Sequence, residues 1–145
     1  MRAFKIFAGL LLACMFATSA QAYTVPVSGD PGGEVMSYVH KYEQLRQTGE
    51  QVVVDGPCLS ACTLMLGILP ASQISVTRRA MFGFHAASYY DDITRSLVPT
   101  RRGSQLVMSY YSPFIQQWIN RHGGLTPHLI KLHVWQLPRE YQRVQ

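Results

Sequence analysis

Three short segments of this chain carry groups suited to acyl-transfer chemistry. Pro31-Gly32-Gly33 lies where a strand-like run gives way to a helical pattern, and missing side chains there let backbone N–H groups approach a substrate oxygen. Ser60 follows a compact apolar run and a Gly56-Pro57 turn. It opens an apolar helical stretch, whose first N–H groups have no internal acceptor and sit at the positive end of the dipole. The N–H of Ala61 is therefore a second donor to an oxyanion. His85 closes another strand-like run, as a general base for Ser60 would if the two strand ends met.

Taken singly, each segment has a plainer explanation. A serine at a helix start is usually an N-cap, a Pro-Gly-Gly run is usually a tight turn, and a histidine in an apolar setting is usually a hydrogen-bonded structural residue. Cys58 and Cys62 flank Ser60 in Cys58-Leu59-Ser60-Ala61-Cys62. In an oxidising compartment such neighbours pair, given Cα atoms within about 4.4 to 6.8 Å. Zinc would need two further ligands, and no histidine stands at finger-like spacing. His122, His128 and His133 suit neither one helical face nor a metal box, so no metal and no cofactor are expected. Tyr110, Tyr111, Phe114 and Trp118 read as core or oligomer contacts.

The elements that must position these residues alternate between strand and helix. Thr24 to Ser28 reads as a short strand ended by Gly29-Asp30-Pro31-Gly32-Gly33. Val35, Val39, Tyr42 and Leu45 then recur at helical spacing until Gly49. Val52-Val53-Val54 has the continuous apolar character of a buried parallel strand. Ser60 to Leu69 predicts a buried helix stopped by Pro70, and Ile74–Val76 and Ala80–Phe84 predict strands on either side of Arg78-Arg79. Ala86 to Arg102 is polar and reads as irregular. Ser104 to Arg121 is helical with a break at Pro113, and Thr126-Pro127 predicts the start of a short last helix. That order implies one α/β layered domain with crossover helices.

Ser28-Gly29-Asp30-Pro31-Gly32-Gly33, Gly56-Pro57-Cys58-Leu59-Ser60-Ala61 and Gly83-Phe84-His85-Ala86 together resemble the three core motifs of the Clp protease proteolytic subunit and its relatives in the Clp/crotonase superfamily. The motifs also resemble an exported branch whose serine has the Cys-x-Ser-Ala-Cys setting found here. The resemblance covers about residues 24 to 90 and weakens through the last helices. It implies a crotonase-like ββα superhelix in which Ser60 is the nucleophile, His85 the base, and the N–H groups of Gly33 and Ala61 the oxyanion hole. The third triad position departs from the pattern. The acid of the family would fall near His133 and Val134, and Asp91, Asp92 and Glu140, the substitutes at hand, are matched by no motif. Loss of the orienting acid slows serine proteases by a factor of order 10⁴. The chain ends at Gln145, where relatives usually continue, so the expectation is a shortened or degenerate member.

Composition agrees with a packed, exported domain. Of 145 residues, 48% are apolar and 14% charged, which excludes a disordered charged tail. Arg2 and Lys5, an apolar run from Ile6 to Ala17, and Ala20-Gln21-Ala22 form a secretory signal peptide over residues 1–22. That run is shorter than the roughly 20 residues a membrane-spanning helix needs. Cleavage leaves residues 23–145 as a single domain, and losing two cations lowers the net charge from +5 to +3. The remaining arginines are scattered, so nucleic acid is not an expected partner. No P-loop pattern is present, so ATP dependence is not expected. The sequence therefore predicts a periplasmic or secreted serine hydrolase of peptidase type, acting on a peptide or acyl substrate, with a homo-oligomer as its candidate assembly. The competing expectation is a catalytically inactive binding or assembly module that keeps the fold.

Overall fold

The structure, a computed structural model, describes residues 23–145. The signal peptide expected over residues 1–22 lies outside the described residues. β1 (Thr24–Val27) leads through the glycine turn to α1 (Val35–Thr48), which buries Val39, Tyr42 and Leu45 on one stripe. Gly49 ends α1 at φ 74°, and its N–H donates to the Leu45 carbonyl; this left-handed cap carries little steric cost without a Cβ. β2 (Gln51–Val54) and β3 (Pro57–Leu59) follow, then a 3₁₀ turn over Ser60–Leu64, α2 (Met65–Ile68) and β4 (Ile74–Val76). β5 (Met81–Phe84), β6 (Ser88–Asp91), β7 (Ser96–Pro99), α3 (Arg101–Tyr110) and α4 (Pro113–Arg121) come next. β8 (Ile130–His133) and β9 (Gln142–Arg143) complete the chain order.

These elements make one small mixed α/β domain with three sheets. The four-stranded sheet runs β1-β2-β4-β9 and is parallel throughout, which matches the continuous apolar character of Val52-Val53-Val54. A second sheet, β3-β5-β8, pairs β3 with β5 in parallel and β5 with β8 antiparallel. Between β2 and β3 the Gly56-Pro57 step carries the chain from one sheet to the other. Tyr42, Leu64, Met65, Ile74, Phe82, Phe84, Ile115, Ile119 and Leu132 form one shared core. Phe84 packs against Tyr111 and Trp118, at centroid distances of 5.4 and 5.7 Å, joining β5 to the break between α3 and α4 and to α4 itself. Fully burying a side chain of that size contributes about 1.5–3 kcal/mol.

Three local expectations need correction. The helix expected after Thr126-Pro127 is instead a loop leading into β8, because Leu132 is buried in the core and β5 offers an unpaired edge there. Ala86 to Arg102 is not irregular: β6 and β7 form a hairpin, with Asp91 accepting bonds from the Ile93 and Thr94 N–H groups and Arg95 at φ 51°. The helix expected over Ser60–Leu69 begins as a 3₁₀ turn and becomes α-helical only at Met65–Ile68. The break at Pro113 appears as expected. Tyr111 and Ser112 are extended, and Pro113 takes the first helical position of α4.

Candidate active site

The first two motifs are stitched together by backbone. The Asp30 N–H donates to the Pro57 carbonyl at 2.9 Å, and the Leu59 N–H donates to the Asp30 carbonyl at 2.8 Å. Asp30 Oδ1 accepts from the Gly32 N–H at 2.8 Å and from the Tyr38 hydroxyl at 2.6 Å, which fixes the turn leading to Gly33. Gly32 has φ 83°, and a Cβ there would stand 2.5 Å from the Leu59 carbonyl oxygen, 2.7 Å from Ser60 Cβ and 2.9 Å from Ala61 N. Glycine is thus required both by conformation and by the close approach of the Ser60 turn.

Ser60 itself has φ 55°, a left-handed conformation that costs a non-glycine residue about 1–3 kcal/mol. Several groups hold it there. The Cys58–Cys62 disulfide spans the turn with Cα atoms 5.4 Å apart. Thr63 Oγ1 donates to the Ser60 carbonyl at 2.6 Å. That uses its single proton, so the Tyr111 hydroxyl is the donor in its 2.6 Å bond to Thr63 Oγ1. The Tyr42 hydroxyl donates to the Cys62 carbonyl at 2.8 Å. Burial, above all, pushes both phenols well above their usual pKa, so each stays a neutral donor.

The third motif arrives through strand register. β3 pairs in parallel with β5, Leu59 opposite Gly83, so Ser60 and His85 leave neighbouring strand ends on the same side. Beyond His85 the chain is tied by the Ala86 N–H to the Thr126 carbonyl at 2.7 Å and by the Ala87 N–H to Ser104 Oγ at 3.0 Å. Gly33, Ser60, Ala61 and His85 line one cavity of about 70 Å³, with Val35, Ala87, Ser88, Val107 and Tyr111. His85 Nδ1 lies 2.8 Å from the Ala86 carbonyl oxygen. A carbonyl only accepts, so Nδ1 carries the proton and Nε2 keeps its lone pair in the neutral ring.

Among the described residues, Ser60 Oγ makes no hydrogen bond, and the turn it opens has no side-chain cap, so the N-cap reading is not met. The N–H groups of Gly33 and Ala61 likewise have no protein acceptor among the described residues. Glu34 caps α1 directly after Gly33. The Met36 N–H first, then the Ser37 hydroxyl and N–H, hold its carboxyl below the usual range.

Among the described residues, no acidic side chain bonds His85. The ion pairs among the described residues are Arg46–Glu43 and Arg79–Asp55. Asp91 is engaged in the hairpin turn, and His133 stacks on Trp135 at 4.4 Å in β8. Asp30, Thr63 and Tyr111 were not singled out as site residues by sequence. The Asp-Pro-Gly turn and the Tyr111-Ser112-Pro113 break were the signals available. A larger open hollow of about 440 Å³ involves Asp55, Arg78 and Arg79 and shares no residue with this site. No helix among the described residues is long and apolar enough to cross a membrane. The chain matches no family model and no curated protein.

Proposed function

We propose that this chain is an exported serine hydrolase of peptidase type with a crotonase-like fold, its mature form beginning at Tyr23. Ser60 is the nucleophile, His85 the base, and the Gly33 and Ala61 N–H groups the oxyanion hole. One observation carries this reading: the four residues come from three separated segments and border the same small cavity. The protonated Nδ1 on the Ala86 carbonyl adds to it by leaving Nε2 ready to accept.

In the reaction, Ser60 Oγ attacks the substrate carbonyl carbon while its proton passes to His85 Nε2. The negative charge that develops on the carbonyl oxygen is taken by the two free N–H groups. Collapse breaks the bond to the leaving group, which receives the proton from His85. Water then reverses the sequence, gives its proton to His85 and releases the acid. The Ala86 carbonyl keeps the correct tautomer but supplies no full negative charge to the imidazolium. The penalty for the absent carboxylate is therefore expected to fall below the roughly 10⁴-fold seen when the tautomer is lost as well.

The competing reading, a catalytically silent binding or assembly module, draws on the absence, among the described residues, of a Ser60–His85 hydrogen bond and of an acid bonded to His85. Labelling with a fluorophosphonate, which forms an Oγ–P bond only with an activated serine, separates the two. Labelling of the mature protein is expected, with loss in Ser60→Ala and at least a tenfold slower rate in His85→Ala, within the range of general-base effects of about 10²–10⁴. A folded wild-type protein that takes up no label overturns the enzymatic reading.

A further inference from the structure

A second hollow adjoins the first and shares His85 and Ser88 with it. It has a volume of about 250 Å³ and is bordered by His85, Ser88, Leu97, Pro99, Pro127 and Leu129. His85 and Ser88 also border the cavity that holds Ser60. The second hollow is built from three separate segments: the stretch from His85 to Ser88, β7 of the hairpin, and the loop before β8. Leu97 and Leu129 stay 68% and 39% exposed, although both are large apolar side chains. Apolar side chains left uncovered in a concave surface next to a polar reacting centre are the usual make-up of a ligand subsite.

The position of His85 decides which part of a substrate each hollow takes. The base that removes the Ser60 proton later delivers it to the departing atom, so the leaving group must sit on the His85 side. The Ser60 side, with about 70 Å³, is tight. We infer that the hollow beyond His85 is the leaving-group subsite, and that the substrate joins a small acyl portion to an amine or alcohol carrying an apolar side chain of leucine size. This inference rests on the Ser60–His85 reading of the site. Leu97 and Leu129 are its specificity-determining residues.

Acyl transfer tests it, because an acceptor amine enters where the leaving group departs. The acyl donor is p-nitrophenyl acetate: Ser60 Oγ takes the acetyl group, its proton goes to His85, and nitrophenolate leaves. His85 releases that proton to solvent; leucinamide or glycinamide then attacks the acetyl carbon, His85 takes the amine proton and passes it to Oγ as the carbon–Oγ bond breaks. The product is the N-acetyl amide, counted by mass spectrometry per fluorophosphonate-labelled Ser60, with the Ser60→Ala rate subtracted. Leucinamide should be favoured over glycinamide by roughly tenfold, the low end for apolar discrimination because the hollow is open to solvent. Leu97→Asp, and separately Leu129→Ser in the loop before β8, should bring the ratio below about threefold. A labelled wild-type protein with no preference overturns the subsite assignment alone, as does a tenfold preference that survives both substitutions. A folded wild-type protein that takes no label overturns the catalytic reading, and this one with it.

Discussion

At the scale of single residues, the two neighbouring glycines have different tasks. Gly32 has a left-handed φ and no room for a Cβ against the Leu59 carbonyl, whereas a Cβ on Gly33 would meet only the Tyr38 ring edge at 3.3 Å. Gly32→Ala should therefore destabilise the fold by about 2–4 kcal/mol, combining backbone strain with overpacking. Gly33→Ala keeps its N–H and should cost about 1 kcal/mol or less, with labelling of Ser60 retained. Chemical denaturation of the two variants checks the order. Equal losses would mean that the close approach of Gly32 to the serine turn is not what demands glycine.

Among elements, the turn from β3 to α2 owes its shape to cross-links more than to helical propensity. Cys58 and Cys62 are fully buried on either side of Ser60, and Tyr42 and Thr63 bond the carbonyls of Cys62 and Ser60. The bridge closes a very short loop, for which the chain-entropy contribution is only about 2 kcal/mol. The Cys58→Ala/Cys62→Ala double variant should lose about that much stability and label more slowly, since Ser60 is then freer to leave its left-handed conformation. Denaturant midpoints and labelling rates report the two effects separately. Unchanged labelling in the double variant would show that hydrogen bonds alone hold the turn.

Across the whole molecule, buried phenols couple the core to alkaline pH. Burial pushes Tyr42 and Tyr111 well above the ordinary value, and burial followed by the nearby Glu140 charge brings Tyr141 up to about 12. Above the unfolded value of about 10 the unfolded chain has lost phenolic protons that the folded chain keeps. The unfolded state then binds fewer protons, so stability is full below about pH 10 and falls as pH rises towards the folded values. Urea midpoints should hold steady to about pH 10 and then drop, with a shallower drop in Tyr42→Phe or Tyr111→Phe. A midpoint unchanged at about pH 11 would contradict the burial of these phenols.

Much of this arrangement was legible in the order of residues, because its signals are local. Val52-Val53-Val54 specified a buried parallel strand through side-chain type, Gly49 specified a helix end through its free φ, and Pro113 divided two helices by lacking an N–H. The grouping of Gly33, Ser60, Ala61 and His85 followed from residue chemistry together with motif resemblance. Their common cavity depends on the β3–β5 register and on backbone bonds between Asp30 and Pro57–Leu59, which pair residues more than twenty positions apart. Nothing local could reveal that Ile130–His133 is a strand, since the free edge of β5 made it one. Local conformational preference is written into neighbouring side chains, whereas edge pairing, close approach and shared burial arise only when distant segments compete for the same core.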